Sequence, residues 1–494
     1  MYQSFIGLEV HIHLLTKTKV FCGCRSAFGD APNTNICPVC LGYPGVLPVL
    51  NREALRMGCL VARALNCRIP ERTWFERKQY FYPDMPKNYQ ISQFASPLGQ
   101  EGFFDIEGKG WAKRVRIKEC HLEEDAGKMI HTGTVSLLDY NRAGVSLLEI
   151  VTEPDLETGE EAELFIQHLR RVVRYLGVCD GNMEEGSLRA DANVSINLPG
   201  RGLGRKVEIK NLNSSRFVRL GLNYEIQRQG LLLDAGKPVM QETRLWNQNR
   251  DQTEPLRTKE NAQDYRYFPE PDLPVFAPEP EFLASVEAGL VELPLPRRKR
   301  FETEYGLPFD PADLLCQEKA LADYFEEAVE AVRAQAPEIS KTDAAGRVAN
   351  WVLTDLKHLL SRAGLSLEEI GLCRANPRRL GVLVALTESG RVSMKNGKQT
   401  LAAVMAEDRE PESIIAGRGW EQLTDPGALR EAVRGVFAAE PETLADLRAA
   451  LAEGNKKRSR TLRAYLVGKT LEATGGRGDP KIAVAQIEAM LAGN

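Results

Sequence analysis

Nowhere in the 494 residues does an apolar run approach the roughly 18 needed to span a bilayer. Residues 1–15 lack the basic-then-apolar layout of a secretory leader, and neither an internal repeat nor a low-complexity tract is present. These absences argue against membrane and secreted classes and make the cytosol the expected compartment. Two nucleotide-binding signatures are missing as well. There is no G-x-x-x-x-G-K-[ST] and no G-x-G-x-x-G between strand and helix. The run Gly200-Arg201-Gly202-Leu203-Gly204 has the wrong spacing and suits a hairpin turn. A nucleotide bound by this chain would need its charge handled by metal ions and basic side chains.

What is present is the composition of a folded protein, 43% hydrophobic and 27% charged. The length suggests about three domains at roughly 150 residues each. Up to about residue 290, short β-branched and aromatic runs are punctuated by Gly, Pro and Asn. Examples are Val115-Arg116-Ile117, Ala192-Asn193-Val194-Ser195-Ile196 and Lys206-Val207-Glu208-Ile209. Two stretches of helical period, 52–65 and 160–176, interrupt them, which predicts an α+β domain built on a mostly antiparallel sheet. The Pro-rich passage 269–296 reads as a linker, since proline fixes φ and removes a donor. Beyond it Ala, Leu, Glu and Arg recur at helical spacing, as at 319–334 and 344–363, with a second break near 407–419. The expected division is 1–293 for the sheet domain, 294–408 for a helical domain and 409–494 for a small helical tail.

A net charge of −4 argues at first against a nucleic-acid partner, but the charge is unevenly spread. Between residues 455 and 481 eight Lys or Arg stand against Glu472 and Asp479, a net +6 that leaves −10 for the remainder. Local charge decides phosphate affinity, because each neutralised phosphate releases condensed counterions. Lys456, Lys457, Arg458, Arg460, Arg463 and Lys469 are therefore candidate nucleic-acid contacts, or else the solvated face of a helix.

Six of the ten cysteines are scattered and suit small buried hydrophobes in a reducing compartment. The other four, Cys22, Cys24, Cys37 and Cys40, form C-x-C-x12-C-P-V-C, the spacing of a structural zinc ribbon. Four thiolates fill a tetrahedron and leave no open position. Zinc there would brace a loop, and a zinc-dependent hydrolase is a weak alternative.

In Gly7-Leu8-Glu9-Val10-His11-Ile12-His13 the apolar and ionisable residues alternate, so a strand would bury one row and show a carboxylate and two imidazoles on the other. The grammar returns in Asp191, Asn193 and Ser195, and in Glu208 flanked by Lys206 and Lys210. A third acidic segment is His121-Leu122-Glu123-Glu124-Asp125. Carboxylates delivered by several strands, with basic residues nearby, would suit a Mg²⁺–phosphate site. An ordinary solvated sheet face would look the same.

Taken together, these segments resemble the B subunits of tRNA-dependent amidotransferases. The matching motifs run along the whole chain: IGLEVH at 6–11, YPGVLP at 43–48, YFYPDMPKNYQISQ at 80–93 and HLEEDAGK at 121–128. They continue with MEEGSL at 183–188, DANVS at 191–195, KNLNS at 210–214 and DYRYFPEPDLP at 264–274. The tail around 466–480 is similar to a small helical module of short stand-alone proteins. Val145-Ser146, Ala190 and Ser215 depart from the usual pattern without removing a charge.

The resemblance implies a cradle-shaped N-terminal domain related to glutamine synthetase and guanidino kinases, followed by two all-helical domains. It implies a carbon–nitrogen ligase that phosphorylates the side-chain carboxylate of Glu-tRNA(Gln) or Asp-tRNA(Asn) with Mg-ATP. Ammonia from an amidase-like A subunit then displaces the phosphate, in a heterotrimer with A and C subunits. The chain has no Gly/Ser-rich amidase signature of its own. Carried onto this sequence, Glu9, His11, Glu123, Glu124, Asp191 and Glu208 are the expected Mg²⁺ ligands, with Glu9, His11, Glu123 and Glu124 at the catalytic centre. His11 would better suit a metal more tolerant of imidazole. Lys78, Tyr80 and Arg266 are expected to contact phosphate or the aminoacyl end, and His13 to be a neighbour only. The alternative is a non-catalytic tRNA-binding scaffold in the same complex.

Overall fold

The structure is a computed structural model that describes residues 2–258, 265–423 and 425–493; Asp264 of the DYRYFPEPDLP motif lies outside them. The chain divides into two compact units, Met1–Arg297 and Arg298–Asn494. The strands of the first unit, in chain order, are β1 (Gln3–His13), β2 (Glu76–Gln79), β3 (Tyr89–Ser92), β4 (Gly99–Gly108), β5 (Trp111–Glu124), β6 (Lys128–Thr132) and β7 (Val135–Asp139). They continue with β8 (Ser146–Thr152), β9 (Leu188–Asn197), β10 (Val207–Leu212), β11 (Glu242–Asn247), β12 (Gln252–Thr258) and β13 (Phe268–Pro269). Its helices are α1 (Arg52–Ala64), α2 (Gly159–Tyr175), α3 (Ser215–Asp234) and α4 (Pro280–Glu287).

Among the described residues one sheet of eight strands has the order β12-β11-β10-β9-β1-β8-β5-β4. Its pairings are antiparallel except β10 with β11. The alternation read in β1 governs the sheet: Ile6, Leu8, Val10 and Ile12 are fully buried, while Glu9, His11 and His13 face the other way and stay half-buried. Each such aliphatic chain contributes about 1.5–3 kcal/mol by leaving water. Helices α1, α2 and α3 cover the apolar face. Side-chain oxygens at their starts satisfy free backbone donors: Asn51 for α1, Thr158 for α2 and Ser214 for α3. The loop from β9 to β10 turns through Gly200 and Gly202 at φ of 79° and 71°, a conformation glycine adopts without a Cβ penalty, and forms the expected hairpin.

Two expectations are corrected in this unit. Helix α3 is not foreseen by the periodicity, because its inward stripe is not purely apolar. Glu225 and Gln229 are fully buried there, bonded to each other at 3.0 Å, and Glu225 is forked by Arg228 at 2.7 and 2.9 Å. The passage 269–296 is part of the first core rather than a bare linker. Pro280 opens α4, whose Phe282 and Val286 are buried in the core cluster to which Leu273 also belongs.

From Pro294 onward the structure is helical: α5 (Pro294–Glu304), α6 (Phe309–Leu315), α7 (Lys319–Gln335) and α8 (Lys341–Asn350). α8 continues through a π-helical turn (Trp351–Leu356) into α9 (Lys357–Arg362), so the expected helix at 344–363 carries a wide turn that buries Trp351, Val352 and Leu356. Then follow α10 (Pro377–Glu388), α11 (Met394–Glu407), α12 (Pro411–Arg418), α13 (Pro426–Ala439), α14 (Pro441–Ala452), α15 (Lys456–Ala473) and α16 (Pro480–Leu491). One apolar cluster runs from Phe301 to Ile415 and a smaller one from Val433 to Ile487. The break expected near 407–419 holds α12, whose Ile414 and Ile415 pack in the larger cluster.

Candidate active site

The face of the sheet turned away from the helices is lined with ionisable side chains, and strand register sets their neighbours. Across β9, β1, β8 and β5, Arg189, His11, Glu149 and His121 lie side by side; one step along, Asp191 pairs with Glu9. Glu208 on β10 pairs with Asn193. Two imidazoles converge on one carboxylate oxygen: His121 Nε2 lies 2.9 Å and His11 Nε2 3.2 Å from Glu149 Oε2. Glu123 stands 4.0 Å from His11 and accepts from the Ser92 hydroxyl at 2.9 Å. Ligand atoms of His11, Glu123 and Glu149 all lie within 4.8 Å of one another, a spacing that can hold a metal ion.

A second group adjoins it on the same face. The Lys210 ammonium lies 2.6 Å from Asp191 and 3.0 Å from Glu208. Asn193 donates to Glu9 at 2.8 Å, and the Thr243 hydroxyl to Glu208 at 2.7 Å. At the edge Asp125 gathers His13 at 2.7 Å, Arg189 at 3.0 Å and Arg142 at 3.1 Å. His13 is thereby committed to Asp125, as a neighbour of the cluster.

The electrostatics show an excess of negative charge. Burial, then the nearby Glu149, Glu208 and Asp191, pushes the Glu9 carboxyl above its usual range. Burial and Glu149 do the same to Glu123. Burial opposes the charged form of His121, yet Glu149 outweighs it and lifts the imidazole to about 9. Burial likewise works against Glu149, but His121 and His11 hold it well below the usual carboxylate range. A divalent cation would relieve this crowding, so the donor set fits a hard metal ion.

The structure brings Glu9, His11, Glu123, Asp191 and Glu208 onto this face, and leaves Glu124 off it. Adjacent residues of a strand point to opposite sides. Glu124 is accordingly turned beneath the sheet, where it pairs with Lys87 and accepts from the Ile91 amide at 2.9 Å. The pair lines a cavity of about 80 Å³ with Phe21, Cys40, Tyr43 and Tyr89. Lys78 lies with its ammonium 4.9 Å from the Tyr265 ring and is held charged by Glu123 and Glu149 against the cost of burial. Tyr80 sits beside Tyr82, ring centres 6.0 Å apart, and Arg266 is exposed with φ of 46°. Sequence reasoning missed Glu149, His121, Arg189 and Lys210 as site residues. Glu149 did leave a signal, a lone carboxylate inside the apolar run Leu147-Leu148-Glu149-Ile150-Val151.

The four cysteines of the ribbon also converge, their sulfurs within 4.8 Å of one another. Zn–S bonds of about 2.3 Å place tetrahedral sulfurs about 3.8 Å apart, so this cage fits zinc. Cys40 is pushed down to about 4, chiefly by the hydrogen bond from Cys22 and further by the Cys37 amide and Lys19. The intervening loop is pinned to the base of the β6–β7 hairpin. Asn33 donates to Asp139 at 3.0 Å and to the Leu138 carbonyl at 2.9 Å, and its side-chain carbonyl accepts from the Tyr140 amide at 2.8 Å.

On α15, Lys456, Lys457, Arg458 and Arg460 are exposed, while Arg463 and Lys469 are half-buried. Three of the six are ion-paired: Arg458 with Asp446 at 3.2 Å, Arg463 with Glu488 at 2.7 Å and Lys469 with Glu472 at 3.0 Å.

Residues 4–284 match the family model described as the GatB/GatE catalytic domain, and residues 323–491 match the GatB domain. Curated relatives are named as B subunits of aspartyl/glutamyl-tRNA(Asn/Gln) amidotransferase. The chain is similar to one from Thermosynechococcus vestitus, 44% identical over 98% of this chain and 95% of the relative. A protein from Carboxydothermus hydrogenoformans is 44% identical over 97% of each. Another, from Brevibacillus brevis, is 42% identical over 99% of each.

Proposed function

The chain belongs to the family of aspartyl/glutamyl-tRNA(Asn/Gln) amidotransferase B subunits, and from that premise we propose that it carries the kinase and amidation centre of such a ligase on the acidic face of its first unit. The substrate is a Glu or Asp esterified to tRNA. Its side-chain carboxylate attacks the terminal phosphorus of ATP, giving an acyl phosphate and ADP. Ammonia then adds to the acyl carbon, phosphate leaves with the C–O bond electrons, and loss of a proton yields the amide. A carboxylate oxygen leaves poorly and phosphate well, which is why the first step is needed.

The observation that carries this reading is the set His11, Glu123 and Glu149 with ligand atoms within 4.8 Å, where burial and then neighbouring carboxylates raise the Glu9 and Glu123 carboxyls. A scaffold that only gripped tRNA would have no use for carboxylates crowded at this cost. Mg²⁺ or Mn²⁺ held by these residues would neutralise the phosphate oxygens. Glu9, Asp191 and Glu208 flank the site, where Lys210 stands between Asp191 and Glu208. Lys78, Tyr80 and Arg266 are assigned to the phosphate or the aminoacyl end. His121 and Asn193 orient Glu149 and Glu9 through their hydrogen bonds. Glu124 is reassigned from metal ligand to the buried pair with Lys87.

The cysteine quartet binds structural zinc, an amidase-like A subunit and a C subunit complete a cytoplasmic heterotrimer, and exposed basic residues of α15 contact the tRNA. Reconstitution with A and C subunits, glutamine and each mischarged tRNA in turn tests the reading. Glu149→Gln is expected to cut ATP-dependent phosphate release and amide formation by about a hundredfold or more, with tRNA binding nearly intact. Unchanged amidation in that variant would reject the site.

A further inference from the structure

Lys19 is fully buried, and its ammonium has no carboxylate at ion-pair distance among the described residues. It donates to Cys40 Sγ at 3.7 Å and to the Tyr140 carbonyl at 3.2 Å. Glu124 lies nearby but is committed to Lys87. The lysine stem runs past Gly144, where an added Cβ would stand 3.5 Å from Lys19 Cδ and 3.6 Å from Cys40 Cβ. A charge taken out of water is costly unless a counter-charge meets it. The counter-charge on offer is sulfur.

Four thiolates around a divalent metal carry a net charge of about −2. We propose that Lys19 is the charge partner of the metal–thiolate group: its ammonium hydrogen bond supports Cys40 as a thiolate ligand, and its second bond ties the metal to the turn that leads into β8. That turn runs from Tyr140 to Val145, and β8 carries Glu149. The backbone amide of Val20, next to Lys19, donates to the Gly144 carbonyl at 2.9 Å, so the turn is held from the same segment twice. Lys19 is thus a positioning residue that acts through Cys40 and Tyr140. This inference rests on the zinc reading of the quartet and names what that zinc does beyond closing its own loop.

The test uses the full chain loaded with zinc, comparing wild type, Lys19→Met and Lys19→Arg. Lys19→Met is expected to lower zinc affinity about tenfold in competition with a chromogenic chelator. In the Co²⁺-substituted protein it should move the sulfur-to-metal charge-transfer band to longer wavelength, because the sulfur lone pairs lose a donor. Lys19→Arg, which keeps charge and donor, should restore most of both. An unchanged affinity and band in Lys19→Met overturns the role of Lys19 while leaving the zinc site standing. A wild-type chain that binds no zinc overturns the zinc reading itself. Should Lys19→Met fail to fold, hydrogen exchange in the wild type decides. Zinc is expected to slow exchange at residues 138–145, and equal exchange with and without zinc overturns the link to the turn.

Discussion

Glu149 illustrates how one side chain organises others. A single oxygen receives His121 at 2.9 Å and His11 at 3.2 Å, and against the cost of burial this raises both imidazoles and lowers the carboxyl. The His121 imidazole, lifted to about 9 by Glu149 against its burial, compares with about 6.5 in an unfolded chain. A raised cationic group contributes stability that is fully present below pH ~6.5 and is lost as pH rises through ~9. Glu149, held below its usual range, contributes above its unfolded value near 4.5 and loses that contribution as pH falls. The pair therefore stabilises most between about pH 5 and 6.5. In melting curves without added magnesium, the gap between wild type and His121→Asn should be widest there and narrow steadily toward pH 9. A gap that stays constant from pH 6 to 10 would contradict the assignment.

Elements decide which residues the sequence could reveal. Alternation in β1 and β9 is enough to place Glu9, His11 and Asp191 on one face, because side-chain direction in a strand has a period of two. The same rule, applied to β5, separates Glu123 from Glu124, yet the motif HLEEDAGK supplies them together and leads both to be expected as metal ligands. There the family pattern overrides the geometry that could have corrected it. Glu149 escapes for a different reason. Register between strands distant in sequence, β1 with β8 and β8 with β5, is what brings it between two histidines. The clustering of the cysteine quartet is legible because its four cysteines lie close in sequence, whereas Lys19, without a motif, is not. Helix α3 hides behind its buried Glu225 and Gln229. Its start offers a check at this scale. The Ser214 hydroxyl accepts from the Phe217 amide at 3.1 Å, satisfying one of the donors free at the helix start. Ser214→Ala should cost about 1 kcal/mol in denaturant unfolding of the metal-loaded chain, while Ser214→Asp should keep most of the cap. Equal stability of Ser214→Ala and wild type would show that α3 is held by packing alone.

At the scale of the whole molecule, an acidic chain must still meet a polyanion, and the net +6 of the tail overstates what is available for that. Arg458, Arg463 and Lys469 already answer to Asp446, Glu488 and Glu472. Lys456, Lys457 and Arg460 remain exposed on the first turns of α15, with no ion pair among the described residues. These three should carry the phosphate contacts of the tail. Replacing all three by Ala is expected to weaken tRNA binding and to flatten the dependence of log affinity on log salt by about 2, at roughly 0.7–0.9 per neutralised phosphate. The proposed centre uses other residues, so amidation by the assembled enzyme at saturating tRNA should stay near the wild-type rate while KM for tRNA rises. Filter binding across a salt series and steady-state amidation separate the outcomes. A triple variant with wild-type salt dependence would move the tRNA contact to another surface. One that lost kcat at saturating tRNA would mean that the tail positions the substrate for reaction as well as holding it.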